Sequence, residues 1–251
     1  MADNSIFYAK GDSPEMIQAF EKARNTFKHF WRELSWEARR IVPGVDLACV
    51  KVAFAQQFPD EDEPTIEHMW INDVYFDGDY VSGTLINDPE SLTNVKNGDA
   101  VTVPLEQVSD WLILSMGKTY GGFSIHQLRS TMSPEERASH DEAWGMDFGD
   151  YNNIQVVRDQ DTHPEHLVEH PMSINMKDGF VKFLQDYPQE MTNADEQGYT
   201  LLHRETIAGN STSVEVMLQQ GADTSRKTNS GKTALDFARQ LGWEHIIPLL
   251  R

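Results

Sequence analysis

Five side chains in the first half of the chain can handle protons or hold a flat ligand: His68, Trp70, Trp111, Lys118 and Tyr120. An imidazole and a phenol supply acid–base groups, an ammonium attracts an anion, and two indoles offer stacking surfaces. Glu67 and His68 are neighbours, and neighbours on a strand point to opposite faces, so the pair is not by itself an acid–base dyad. With Asp110 these residues can border a cleft. Alternatively, Trp70 and Trp111 are core and the polar groups satisfy backbone. A second constellation is His163, His166 and His170 in DTHPEHLVEHP. A helix from Pro164 would set His166 and His170 one turn apart, a zinc-chelating spacing with Asp161 or Glu165 as oxygen ligand. Solvated surface and helix capping are the competing roles, and they are adopted, with no metal and no cofactor expected. Two GKT runs fail as phosphate loops: a glycine is needed five residues before the GK glycine, and those positions hold Leu112 and Arg226. Cys49 is the single cysteine, without a histidine near it in sequence. No catalytic residue is assigned.

Several elements must position these groups. Ser13-Pro14-Glu15 is a helix start, and Met16, Phe20, Ala23, Phe27, Phe30, Trp31 and Leu34 recur at three- and four-residue spacing along one apolar face. Pro43-Gly44 ends that run. Strands are expected at Leu47 to Phe54, Glu67 to Phe76, Tyr80 to Ile86 and Ala100 to Val103, with tight turns at Asp77-Gly78-Asp79 and Asn97-Gly98-Asp99. Trp111 to Leu114 is a short buried strand or a turn of helix. GKTYGGF follows as a loop, then a polar helix from Ile125, then a last helix opened by the Ser133–Glu136 capping box and closed near Gly145.

The tail repeats itself. GYTLLHRETIAGNSTSVEVMLQQGAD begins at Gly198 and GKTALDFARQLGWEHIIPLL at Gly231, 33 residues later. At that offset Thr200 meets Thr233, Leu202 meets Leu235 and Gly209 meets Gly242. The threonines suit helix N-caps and the glycines suit the left-handed position that ends a helix. Lys177 to Leu184 reads as an upstream half-unit. This block resembles the ankyrin repeat, whose period is about 33 residues. It departs from the pattern at Leu201 and Ala234, where the family has proline, and at Glu205 and Thr206, where small residues are usual. The resemblance implies binding of another protein through repeat tips and first helices: Tyr199, Arg204, Glu205, Thr228, Asn229, Lys232 and Phe237.

A second resemblance rests on AFEKARNTFKHF, EHMWINDVYFDGDYVSGTLINDP, VSDWLIL and GKTYGGF. Across roughly residues 15 to 148 these landmarks resemble the YegJ-like bacterial domain of unknown function. That resemblance implies an α+β fold and a bacterial origin, and no reaction.

The expected fold class is an α+β N-terminal domain, a long helix plus mostly antiparallel sheet, followed by an all-α ankyrin-repeat C-terminal domain. The expected divisions are 1–148 for the first domain, 149–174 for an acidic connector and 175–251 for a half-repeat and two repeats. The formal net charge of −19 disfavours binding to phosphate backbones and favours a basic protein partner. One cysteine suits a reducing compartment. The N-terminus lacks a basic region followed by an apolar core, and no apolar run approaches membrane-span length. The functional expectation is a non-enzymatic, cytoplasmic protein-binding adaptor, in narrower form immunity-like. The alternative is an enzyme or small-ligand binder with its site in the first domain and the tail used for targeting.

Overall fold

A computed structural model describes residues 13–251. The expectation about a secretion signal concerns residues outside that range. Among the described residues, no helix is long and apolar enough to cross a membrane. The chain forms two compact units.

The first unit takes the chain up to Phe30 and Val42–Val156. Helix α1, Pro14–Glu37, starts where the hydroxyl of Ser13 accepts the Met16 amide at 3.2 Å. The strands are β1 (Leu47–Gln56), β2 (Thr65–Phe76), β3 (Tyr80–Leu85), β4 (Ala100–Pro104), β5 (Val108–Ser115) and β6 (Lys118–Gly121). They make one antiparallel sheet in the order β4-β3-β2-β1-β5-β6. Met116 and Gly117 both have positive φ, 53° and 79°, which turns β5 back into β6 as a tight hairpin. GKTYGGF is therefore largely strand. Helix α2 is Phe123–Ser130 and α3 is Pro134–Trp144, the latter with the expected Ser133–Glu136 capping box.

Side-chain alternation sorts the sheet into two faces. Val50 pairs with Ile71 on one side and Trp111 on the other, and all three are fully buried. This layer packs on α1: the indole of Trp111 donates to the Ala23 carbonyl at 3.1 Å and lies 5.7 Å from the Phe30 ring. Lys51 pairs with Trp70 and Asp110, which share the opposite face.

The second unit takes Trp31–Ile41 and Val157–Arg251. It contains α4 (Pro171–Asn175), α5 (Lys177–Asp186), α6 (Leu201–Ile207), α7 (Ser211–Gln219) and α8 (Ala234–Gln240). Thr200 and Thr233 cap α6 and α8, each in a reciprocal box, with His203 and Asp236. Gly209 has φ 74°, and a Cβ there would lie 2.4 Å from the Trp243 ring, so only glycine fits.

The expected fold class needs correction. An α+β domain followed by an all-α ankyrin-repeat domain does not describe this chain, because clear ankyrin repeats are not formed. Only α6 and α7 make a full pair of helices within the expected copies. In the second copy α8 is followed by a 3-10 turn, Ile247–Leu250, and not by an α-helix. Pro248 has no N–H to give a helical ladder, and the left-handed turn at Gly242 leaves few residues to nucleate one. Nor is the second unit built from the tail alone. Trp36 donates to Asn210 Oδ1 at 2.9 Å, and Arg32 donates to the carbonyls of His166, Leu167 and Val168.

Candidate functional site

In the first unit, the sheet face that carries Lys51 and Trp70 opens into a cavity of about 730 Å³. Asp110 fixes its far wall. Its carboxylate accepts the amides of Phe123 (2.9 Å) and Ser124 (2.7 Å) and the Ser124 hydroxyl (2.6 Å), so it caps the start of α2. Gly121 permits this approach, since a Cβ there would meet the Trp111 carbonyl oxygen at 2.4 Å. Burial pushes the Asp110 carboxyl above its ordinary range, against the pull of Ser124 and Lys51. The result is that Ser124 Oγ stands 3.4 Å from Lys51 Nζ, and that ammonium lies 5.1 Å from the Trp70 ring centroid.

The mouth is set by β2. Glu67 accepts the amides of Glu90, Ser91 and Leu92, and Asn87 Oδ1 accepts the Trp70 amide at 2.6 Å. The segment after β3 is thereby tied beside the opening. His68 stacks on Phe20 with centroids 4.8 Å apart. Its buried Nδ1 has no hydrogen-bond partner among the described residues. Burial, with the nearby Lys51 charge, pushes its pKa down to about 4, so the ring is neutral at pH 7.

Of the five residues singled out from the sequence, His68 and Trp70 line this cavity. Trp111 is fully buried on the α1 face. Lys118 and Tyr120 stand on β6, three strands from β2, roughly 14 Å across the sheet. Lys51 and Ser124 were missed. The available signal was a lysine inside the otherwise apolar strand LACVKVAFAQ. Cys49 is buried, and burial pushes its thiol up to about 12, so it offers no thiolate.

In the second unit, four of the seven expected partner contacts are buried: Tyr199 (8%), Glu205 (0%), Thr228 (4%) and Phe237 (0%). This corrects the expectation. Tyr199, His203 and Phe237 form one aromatic cluster, and Glu205 is paired with Arg39. Arg204 and Lys232 are partly exposed and Asn229 is exposed. Arg204 lies 4.2 Å over the Tyr199 ring and bonds Asp195. Asn229 ties its loop to the preceding one, donating its amide to the Gln197 carbonyl (2.8 Å) and its side chain to the Glu196 carbonyl (2.9 Å).

The histidine segment does not form the helix that zinc chelation by His166 and His170 would need. Pro164–Leu167 is a 3-10 turn, and His170 caps α4 while its Nε2 meets Glu33 at 2.9 Å. His166 and His170 are therefore not stacked one turn apart. The three groups that do converge are His163, Glu165 and His166, with ligating atoms within 4.8 Å of one another. Burial pushes Glu33 up, but the His170 hydrogen bond and the charges of His170, Arg158 and Arg40 outweigh it and hold the carboxyl at about 2.

Residues 13–148 match the family described as "Uncharacterized protein conserved in bacteria (DUF2314)". A protein from Neisseria meningitidis serogroup B, named as putative ankyrin repeat protein NMB1133/NMB1171, is 48% identical over 250 residues, spanning 100% of this chain and 98% of the relative. The uncharacterized protein YegJ of Escherichia coli K12 is 36% identical over 83 residues, 33% of this chain and 54% of that protein. The mouse ankyrin repeat and SAM domain-containing protein 6 is 26% identical over 115 residues, 43% of this chain and 13% of that protein.

Proposed function

The chain belongs to the bacterial DUF2314 family of uncharacterised proteins, and from that premise we propose that it is a non-enzymatic protein-binding protein whose second unit grips the partner. The observation that carries this reading is the cross-tie made by Asn229 to Glu196 and Gln197. Two successive loop tips are fastened together, so the surface around Asn229, Arg204 and Lys232 needs little ordering when a partner arrives. Pre-organised loops lose less entropy on binding. The printed name of the Neisseria relative, similar along its whole length, supports the same kind of role.

The net charge of −19 supports a basic partner, drawn in by electrostatic steering. Action in the cytoplasm, and an immunity-like neutralising role, are the narrower forms of this reading, supported by the single cysteine and by the acidity.

The test places a photo-crosslinking residue at Asn229 in the full chain and, as control, at the exposed Glu106. Irradiation in native cells is expected to give one adduct from position 229, with a basic protein, and none from 106. No adduct from position 229, at equal incorporation, counts against the proposal.

A further inference from the structure

The Lys51 ammonium has three N–H donors to place. Among the described residues its one hydrogen bond is the long contact, 3.4 Å, to Ser124 Oγ. Asp110, on the same face of the sheet, is already filled by the amides of Trp111, Phe123 and Ser124 and the same hydroxyl. Lys51 is therefore a partly buried cation with donor capacity unused, at the wall of an open cavity. Burial lowers its pKa, and Asp110 pulls the other way. An anion set against the amine would relieve that cost of burial.

The rest of the cavity sets the ligand's other features. Phe20, Trp70 and Trp144 give flat apolar walls, Ile66 adds aliphatic surface, and His68 adds a buried Nδ1 with no partner among the described residues. Glu67, Asp88 and Glu90 lie along the same lining and repel a second negative charge. About 730 Å³ falls in the range of small-molecule sites, roughly 300–1,000 Å³.

We propose that this cavity binds a small monocarboxylate with a flat apolar body, the carboxylate seated on Lys51 and Ser124 and the body against Trp70. The site lies wholly in the first unit and does not depend on the protein-binding role of the second. A charge-assisted contact to one lysine favours the acid over its neutral isostere, while the acidic lining excludes polyanions.

Calorimetric titration of the full chain with 3-phenylpropanoate, 3-phenylpropanamide and pyrophosphate tests this. One saturable site is expected for the carboxylate, with affinity about tenfold or more above that of the amide, a gap of about 1.4 kcal/mol, and none for pyrophosphate. Lys51→Met should remove the acid–amide difference. Trp70→Leu should weaken acid and amide alike, which keeps the test intact if the lysine variant misfolds. Equal binding of acid and amide, no binding of the acid, or preference for pyrophosphate overturns the proposal. Partner crosslinking at Asn229 is read separately, so failure of either idea leaves the other standing.

Discussion

Glu205, wholly buried in α6, takes its ionic partner from Arg39, which precedes it by 166 residues. The same carboxylate accepts Asn210 Nδ2 at 2.8 Å, and Asn210 in turn accepts the Trp36 indole N–H. Four side chains from two distant stretches thus form one satisfied network. Removing its centre leaves Asn210 Nδ2 buried without its acceptor. Glu205→Ala is expected to destabilise the protein by about 2–4 kcal/mol. Urea denaturation of the variant against the parent measures it, and a loss under ~0.5 kcal/mol would mean that the network is not formed.

Two glycines with similar positive φ make a paired comparison. At Gly209 an added methyl runs into Trp243, whereas at Gly231, φ 82°, it meets nothing within 4 Å. Gly231→Ala should carry only left-handed strain, about 1–2 kcal/mol. Gly209→Ala should carry that strain plus steric displacement of the indole, about 3 kcal/mol or more in all. Thermal unfolding of the two variants checks the order; equal shifts would show that Trp243 can move aside freely.

Acid sensitivity should come in two windows. His68 and His126 are both held near 4, by burial first and by the neighbouring Lys51 and Arg129 charges second. A depressed histidine pKa means that the unfolded chain binds the proton first. The stability is therefore whole above about 6.5 and falls as pH drops toward 4, by at most about 3 kcal/mol per group. Glu33, held at about 2, contributes stability that is present above about 4.5 and is lost as pH falls toward 2. A melting-temperature series from pH 8 to 3 should slope below neutrality, and His68→Gln should shrink the first window to the share of His126 without touching the second.

Cys49 offers a probe of opening. Its thiol is buried in a cluster with Leu112, Ile125 and Phe148 and pushed up to about 12. The folded protein should react with a disulfide reagent only as fast as the first unit opens, and the rate should rise in step with denaturant. Rapid labelling in native buffer would contradict the burial.

Local signals in the sequence translated well into structure. Ser13, Ser133, Thr200 and Thr233 each open a helix, because a cap is a contact among residues three apart. The turns at Asp77 to Asp79 and Asn97 to Asp99 were legible for the same reason, since Asp77 Oδ1 accepts the amides of Asp79 and Tyr80. What failed was everything decided at long range. Glu205 read as a partner contact on a repeat's first helix, because nothing near it announces Arg39. Helix capping was among the roles read for the histidines, and His170 does cap α4; its second partner, Glu33, was not legible, because it stands 137 positions away. Ankyrin periodicity promised a second helix after Gly242, yet Pro248 and the packing of Trp243 settled that stretch as a turn. For the cavity, His68 and Trp70 were visible as polar and aromatic residues on a strand. Lys51 was not, because its role depends on Ser124, 73 residues on, reaching the same point.

The second unit is written in two separate lines of the gene, Trp31–Ile41 and Val157–Arg251. A single recombination breakpoint placed between them would carry Asn210 and Glu205 away without Trp36 and Arg39. The tail is thus not a portable cassette: for its helices to travel to another protein intact, the eleven codons of Trp31–Ile41 must travel too. Inheritance of the two halves as one block, as in the Neisseria relative, is what such an arrangement enforces.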